Sequence, residues 1–192
     1  MRIFDMFDFN NGYNTVLQKY PREFEEIKDV IQEVNAAQHK TKRSNEKTKK
    51  GQLLFSPSSL NHDFKVRFNK LGWYSYKIQC DYSNIPLVHG DQGSITISQP
   101  PFREMDFVKP NKKLGIEIQF GKYAFMVYNV CAKMTIFKNM DIIDTGIEIV
   151  PVKKFTDEMS TGVSYFEQIA WDLYNRGTSN IDVPVLIIGI DE

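Results

Sequence analysis

The stretch "MDFVKPNKKLGIEIQFGKY", residues 105–123, has the pattern of two short strands joined by a turn. In "LGIEIQF" the apolar residues alternate with Glu117 and Gln119, so these two polar side chains share one face of a predicted strand. "MDFVK" predicts a second strand, and a turn through residues 110–113 would bring Asp106 back toward Glu117. Two adjacent carboxylates repel each other and favour a cation between them. The stretch therefore predicts a strand pair that presents two acids and an amide to one site.

Carboxylate oxygens of this kind suit a hard divalent ion, magnesium above all. Such an ion lowers the pKa of a bound water and stabilises charge that develops on a phosphate. The alternative is a solvent-facing hairpin whose acids keep the edge of a sheet soluble. Paired carboxylates could also serve a glycosidase, but that interpretation leaves the lysine-rich segment described below and Gln119 unexplained.

Length and composition indicate one substantial hydrophobic core. The chain has 192 residues, of which 42% are hydrophobic and 13% aromatic, and we expect residues 1–192 to form a single domain. No apolar run approaches the roughly 20 residues that span a bilayer, and the N-terminal stretch lacks the pattern of a signal peptide. These features predict a cytoplasmic protein without membrane contacts.

The order of helical and strand patterns predicts an α/β fold. Helices are expected from Pro21, over residues 58–71 and over residues 123–140, and another should begin at a capping box of Ser164 and Glu167. Alternating or branched apolar runs predict strands over residues 74–82, 146–152 and 183–190. This mixed order favours a central sheet with helices on both faces.

The segment "HKTKRSNEKTKKGQ", residues 39–52, concentrates positive charge in a chain whose 24 basic and 24 acidic residues otherwise cancel. Its only acid is Glu46, and it contains no apolar residue, so it has the pattern of an exposed loop or a fraying helix end. It is either a solvated linker or an arm that lies along phosphates and makes binding fall with salt.

Three separated segments resemble the BglII/BstYI group of type II restriction endonucleases, and most closely its BstYI-like members. They are "KTKRSNEKTKKGQLLFSP", "DFVKPNKKLGIEIQFGKY" and "EMSTGVSYFEQ". The likeness runs in order across nearly the whole chain and is weakest between residues 75 and 104. It implies the restriction-endonuclease-like core of the PD-(D/E)xK type, a mixed central β-sheet flanked by helices, in which an aspartate and a Glu-x-Gln motif hold the metal.

Carried over by position, the resemblance implies that Asp106 and Glu117 bind Mg²⁺, with the backbone carbonyl of Ile118 as a further ligand. Gln119 stands where many related nucleases have a lysine or a second glutamate. Because an amide is not a base at neutral pH, we assign Gln119 to orienting the attacking water, and the metal or a substrate phosphate must assist deprotonation.

One departure from the group is the spacing of the two acids. Asp106 and Glu117 are 11 positions apart, which is longer than is usual there, and the extra length falls naturally in the turn. A further acid upstream would be Glu104 or Asp91, between which the sequence does not choose.

The resemblance also implies two segments that read bases. The residues after the Glu-x-Gln strand would enter the major groove, where Lys122 can donate to guanine, and the loop around Gly162 would supply short hydroxyl groups. The ordinary alternatives are a solvated Lys122 and a Ser164 that only caps a helix. The residues assigned to DNA are Lys122, Tyr123, Ser160, Thr161, Ser164, Lys40, Lys42, Arg43 and Lys47.

The resemblance further implies a palindromic site with a GATC core, in the form purine-GATC-pyrimidine. Cutting both strands of a palindrome requires two active sites related by a two-fold axis, so a homodimer is expected, with its interface on the helix after Lys122. The main rival is a catalytically inactive, sequence-specific DNA-binding protein on the same fold, and a third hypothesis is a structural protein without a nucleic-acid partner. Metal-dependent strand scission distinguishes the first two.

Overall fold

The structure is a computed structural model and describes residues 1–81 and 101–192. The strands are β1 (Arg2–Phe9), β2 (Lys42–Arg43), β3 (Leu53–Leu54), β4 (Tyr74–Gln79), β5 (Phe102–Val108), β6 (Leu114–Ile118), β7 (Thr145–Pro151) and β8 (Val185–Asp191). The α-helices are α1 (Gly12–Lys19), α2 (Pro21–Glu33), α3 (Pro57–Lys70), α4 (Tyr123–Tyr128), α5 (Met134–Asn139), α6 (Lys153–Thr156) and α7 (Phe166–Arg176). A π-helical segment, Asn129–Lys133, joins α4 to α5.

Six strands form one mixed sheet in the order β1-β8-β7-β6-β5-β4. Strands β6, β7 and β8 are parallel to one another, whereas β1 pairs with β8, β5 with β6 and β4 with β5 in antiparallel fashion. The predicted mixed α/β fold is confirmed. The sequence analysis missed β1, an edge strand whose exposed and buried positions do not alternate cleanly.

The three parallel strands are buried along their whole length, because layers of helices cover both faces of the sheet. On one face, aromatic residues of α3 pack on the sheet. Phe64 lies 6.1 Å from Phe120 between ring centroids, and Phe68 lies 4.7 Å from Phe107. This burial on both faces explains why the sequences of the three strands are near-continuous runs of branched apolar residues.

The opposite face is covered by the helices after β6 and by α7. Two glycines allow this close approach, since a β-carbon at Gly146 would lie 2.4 Å from the sulfur of Met134 and one at Gly189 would lie 2.6 Å from the ring of Phe166. Both glycines stand on central strands. The Glu117 side chain points toward this face, so the helix from Tyr123 to Asn139 forms a roof over the predicted site.

One local prediction, the capping box, is wrong. Ser164 and Glu167 do not form a capping box, because α7 begins at Phe166 and the Ser164 hydroxyl instead donates to the Gly121 carbonyl at 3.0 Å. The Glu167 carboxylate accepts from the Lys153 backbone N–H at 2.8 Å. In each case a tertiary partner replaces the local one that the sequence pattern indicated.

The basic segment is also more ordered than predicted. Together with the next two residues it forms a two-stranded hairpin, residues 42–54, in which β2 pairs with β3, and a short 3₁₀ turn, Lys47–Lys49, lies between the strands. Strand β4 is an edge strand with Tyr74 and Tyr76 about half exposed, so its predicted alternation holds only at Ile78, and Tyr82 lies outside the described residues. Within residues 1–81 and 101–192, no helix is both long and apolar enough to span a membrane.

Candidate active site

The pairing of β5 with β6 brings the two predicted acids together. Phe107 pairs with Ile116 and Val108 with Gly115, and continuing this register places Asp106 directly opposite Glu117. The Asp106 backbone N–H lies 3.4 Å from Glu117 Oε1. The long spacing between the acids is taken up by residues 109–113, which connect the strands with Asn111 in the left-handed region.

Asp106 is fixed by the strand that carries Glu117. Its Oδ2 accepts a hydrogen bond from the Ile118 backbone N–H at 3.0 Å. Burial raises the pKa of Asp106, while this hydrogen bond and the nearby Lys133 ammonium act in the opposite direction. The half-buried carboxylate is therefore held in a defined orientation beside β6.

Glu117 is almost completely buried, with 2% of the residue exposed. Its Oε1 lies 2.7 Å from the ammonium of Lys133. Burial raises the pKa of Glu117 well above its ordinary value, the Asp106 charge raises it further, and Lys133 opposes both effects. A carboxylate in this setting gains strongly from a nearby cation.

Gln119 follows Glu117 on the same side of the chain and is also buried. Its Nε2 donates to the Lys122 carbonyl at 3.2 Å, which fixes the amide and leaves its oxygen to accept a hydrogen bond. Its backbone N–H donates to Ile149 and extends the ladder with β7. These contacts suit an orienting residue and give Gln119 no basic character.

The sequence analysis missed a third acid, Glu148 on β7. It pairs in parallel register with Glu117 and is fully buried. Asn129 Nδ2 donates to Glu148 Oε1 at 3.3 Å, and Oε2 is buried without a hydrogen-bond partner among the described residues. Burial raises the pKa of Glu148 to about 8, so its carboxyl group carries a proton at neutral pH.

Asn129 and Lys133, the two polar residues that face these acids, are the first and last residues of the π-helical segment. Both are buried, in a helix whose other buried residues are all apolar. π-helical turns of this kind are frequent at functional sites. Two polar residues four positions apart within the apolar run 123–140 were the signal that could have found them.

Asp106, Glu117, Ile118 and Gln119 line one cleft of about 360 Å³, whose wall also includes Lys133. Within the described part of the chain there is no group of three or more His, Cys, Asp or Glu side chains arranged to hold a metal. Two carboxylates and a carbonyl nevertheless fit Mg²⁺, which binds through one or two carboxylates and completes its shell with water and substrate phosphate. The donor set thus suits a hard ion that binds together with DNA.

Glu104 and Asp91 are the two predicted candidates for an upstream acid. Glu104 lines the cleft, but its carboxylate lies 3.4 Å from Lys77, and its backbone carbonyl accepts from Lys133 at 3.0 Å. Glu104 therefore contributes to the site through its backbone. Asp91 lies outside the described residues.

The two predicted base-reading segments are joined to each other. Lys122 and Val163 form an antiparallel bridge, and the Ser164 backbone N–H donates to the Gly121 carbonyl at 2.9 Å. Ser164 itself is fully buried, so it ties the segments together and does not offer its hydroxyl to a ligand. Lys122, in contrast, is exposed.

The basic hairpin is bound to the second reading segment. Lys42 donates to the Ser160 hydroxyl, and Glu46 Oε2 accepts from both the N–H and the hydroxyl of Thr161, at 3.0 and 2.8 Å. Lys49 donates to the Met159 carbonyl at 2.6 Å. The structure thus unites three sequence segments that are far apart in the chain.

The remaining residues that were predicted to contact DNA differ in their exposure to solvent. Arg43 and Lys47 are exposed on the hairpin, whereas Lys40 pairs with Glu158 and lies over the Phe55 ring. Tyr123 is half-buried, and its hydroxyl is buried without a hydrogen-bond partner among the described residues. The solvent-facing set is therefore Lys42, Arg43, Lys47, Lys122 and Thr161.

Comparisons with known proteins agree with this arrangement. The fold is similar to the crystal structure of restriction endonuclease BglII complexed with a DNA 16-mer, with a TM-score of 0.75 and 23% sequence identity over 100% of this chain and 77% of that chain. It is also similar to free BglII, with a TM-score of 0.64 and 20% identity over 100% of this chain and 80% of that chain.

No curated protein sequence matches the chain significantly. At the identities given above, the similarity of the two crystal structures establishes the fold alone. A family profile described as restriction endonuclease BglII/BglIII matches residues 4–190, which is nearly the whole chain. The chain therefore belongs to the BglII/BglIII family of restriction endonucleases, which are type II site-specific deoxyribonucleases.

Proposed function

We propose that the protein cleaves double-stranded DNA in a Mg²⁺-dependent reaction, within a palindrome that has a GATC core. The working sequence is purine-GATC-pyrimidine, in keeping with the resemblance to BstYI-like enzymes. The observation that carries the proposal is the meeting of Asp106 and Glu117 across the β5–β6 pair in a chain of this family. The whole chain would act as one endonuclease domain in the cytoplasm.

In this proposal Asp106, Glu117 and the Ile118 carbonyl hold the metal, which lowers the pKa of a bound water and stabilises charge on the phosphate. Asp106 is oriented for this by the Ile118 N–H. Gln119 accepts a hydrogen bond from the attacking water through its amide oxygen, because its Nε2 is engaged by Lys122. The neutral Gln119 takes up no proton, so a phosphate of the substrate is the candidate acceptor.

DNA would be contacted on the side where the basic hairpin meets the loop of residues 160–164. Lys42, Arg43 and Lys47 would neutralise phosphates, while Lys122 and Thr161 would face the base edges. Support comes from the exposure of these five residues and from the contacts that bind the hairpin to the loop. Ser164 and Tyr123 would support the reading segments from behind.

A homodimer would supply the second active site that a palindrome requires. The helix from Tyr123 to Asn139 is the proposed interface, since it leaves Phe125 62% exposed and Ile136 37% exposed. Sedimentation of the protein over a range of concentrations would test this assembly, and I136D should weaken it.

The decisive experiment is digestion of unmethylated plasmid DNA in Mg²⁺ and in EDTA, followed by sequencing of the ends. Discrete fragments with uniform ends in Mg²⁺ alone would support the proposal and report the site. An E117Q protein purified in the same way controls for a contaminating nuclease. Intact plasmid in both buffers, together with sequence-specific retention of DNA, would support the inactive DNA-binding alternative.

A further inference from the structure

Lys133 is a buried lysine in the helix that covers the active site, and the proposed reaction assigns it no role. Only 11% of its side chain is exposed. Its Nζ lies 2.7 Å from Glu117 Oε1 and donates to the Glu104 carbonyl at 3.0 Å. Lysine is almost never buried unless it is paired, so the position of Lys133 depends on these partners.

The surroundings of Glu117 also require a positive charge. Asp106 lies across the strand pair from Glu117, so two carboxylates stand next to each other. The residue next along the strand, Gln119, is a neutral amide and cannot balance them. Within the described residues that line the cleft, the cations are Lys133 and Lys65, and Lys65 is exposed on α3.

We propose that Lys133 is the positioning residue for Glu117, and that it supplies from the helix the fixed positive charge that Gln119 does not supply from the strand. Its ammonium engages Oε1 of the carboxylate that would help to hold the metal. The bond to the Glu104 carbonyl anchors the ammonium independently of Glu117. A preorganised charge placed in this way also stabilises negative charge that develops on a phosphate in the cleft.

The π-helical segment explains how a helix can deliver this charge. It sets Lys133 at its last residue and Asn129 at its first, and both reach acids of the sheet, Glu117 and Glu148. The two contacts order the Glu117 and Glu148 carboxyl groups from the same helix. Lys133 thereby couples the roof helix to the catalytic strand.

The inference rests on the proposed nuclease function, and its first test is cleavage by K133M and K133R at saturating Mg²⁺ and DNA. K133M keeps an apolar stem of similar length but removes the charge, and we expect its single-turnover rate to fall about 100-fold. K133R, which keeps the charge, should stay within about tenfold of wild type. The matched control is K70M, which removes an exposed charge from α3 outside the cleft and should change the rate less than about threefold.

The second test does not depend on cleavage. Thermal unfolding in EDTA is compared for wild type, K133M, E117Q and the E117Q/K133M double variant, which form a double-mutant cycle. Loss of one partner of a buried pair leaves an uncompensated charge, so K133M should lower the Tm by roughly 10 °C. The same substitution in the E117Q background should cost much less.

Two outcomes would overturn the inference. Equal loss of Tm in both backgrounds would mean that Lys133 only packs, and a K133M rate within about threefold of wild type would mean that its charge has no part in the reaction. If wild type itself cuts no DNA, the proposed function fails, while the stability cycle still decides whether Lys133 positions Glu117.

Discussion

Glu46 accepts hydrogen bonds from both the backbone N–H and the hydroxyl of Thr161. These residues are 115 positions apart in the chain, so one acid joins the basic hairpin to the loop that is proposed to read bases. The only acid in the lysine-rich segment therefore has a structural task. It fixes the loop from the side on which phosphates would bind.

Loss of this contact should weaken discrimination between sites. We expect E46Q to reduce the ratio of cleavage at the cognate site to cleavage at single-base variants by roughly tenfold, because Thr161 loses its orientation. The ratio is measured from initial rates on short duplexes. The control is E158Q, which breaks the Lys40 ion pair of the same hairpin without touching Thr161, and an equal loss in that variant would argue against a specific role for Glu46.

Removal of the Glu117 carboxylate should abolish cleavage but not binding. E117Q should lower the cleavage rate about 1000-fold or more, since a metal ligand is lost. Specific DNA binding in EDTA should persist or tighten, because repulsion between acid and phosphate is relieved. Loss of binding together with cleavage would show that Glu117 is chiefly structural.

A matched acid in the same cleft is available as a control. The Glu104 carboxylate pairs with Lys77 at the edge of the sheet, so E104Q should retain most of the activity. A loss as large as that of E117Q would assign the upstream acid to Glu104.

The buried Glu148 should make stability depend on pH. Its pKa is raised by burial from the ordinary 4.5 of a glutamate to about 8 in the folded protein, so between these values the folded state holds a proton that the unfolded chain has released. Stability therefore falls as pH rises through this window, by about 1.4 kcal/mol per pH unit. Below about pH 4.5 and above about pH 8 this contribution is constant.

Urea unfolding in EDTA between pH 5 and pH 9 would measure this effect. The side chain introduced by E148Q neither binds nor releases a proton in this pH range. The free energy of unfolding of E148Q should therefore rise relative to that of wild type as pH increases. E25Q, which alters an exposed glutamate paired with Lys28, should follow wild type at every pH. Parallel curves for E148Q and wild type would contradict the assignment.

Lys42 and Arg43 should act on DNA chiefly through phosphates, although Lys42 also contacts Ser160 of the loop. The double variant K42M/R43M should reduce the slope of log affinity against log salt by about two, since each phosphate contact contributes about 0.9. Affinity would fall for all sequences alike. K70M, at an exposed lysine of α3 outside the proposed interface, should leave the slope unchanged, and an unchanged slope in the double variant would remove the hairpin from the interface.

Lys122 should act differently from the hairpin. K122A should lower discrimination at one base pair by roughly 10- to 100-fold, with a smaller effect on non-specific affinity. Competition binding with cognate and variant duplexes measures both quantities. If K122A binds and cuts the cognate site normally, its proposed role in base reading is wrong.

The acid pair and most elements of the fold could be predicted because their signals are local. The period of two in "LGIEIQF" and the adjacent turn are enough to set Asp106 opposite Glu117, and residues 105–120 contain both. The helices from Pro21, over 57–70 and over 123–139 follow from apolar spacing in the same way. The α/β class then follows from the order of the elements.

Glu148, Asn129 and Lys133 could not be placed, because their positions depend on pairing between distant segments. The parallel register of β6 with β7 sets Glu148 beside Glu117, and no turn connects these strands to reveal it. The capping-box prediction failed for a related reason, since the Gly121 carbonyl, 43 positions away, captures the Ser164 hydroxyl. A local sequence pattern does not show whether a side chain will bond to a partner nearby in the chain or to a distant one.

The π-helical segment also fixes the directions in which the side chains beyond it point from the roof helix. Each residue of an α-helix advances about 100° around its axis, so deleting one residue between Asn129 and Lys133 would rotate everything beyond it by about that angle. Lys133 would swing off Glu117, and Met134 would leave the space over Gly146. The length of the helix is therefore fixed by the site, and its residue count is as much a part of the active site as the carboxylates beneath it.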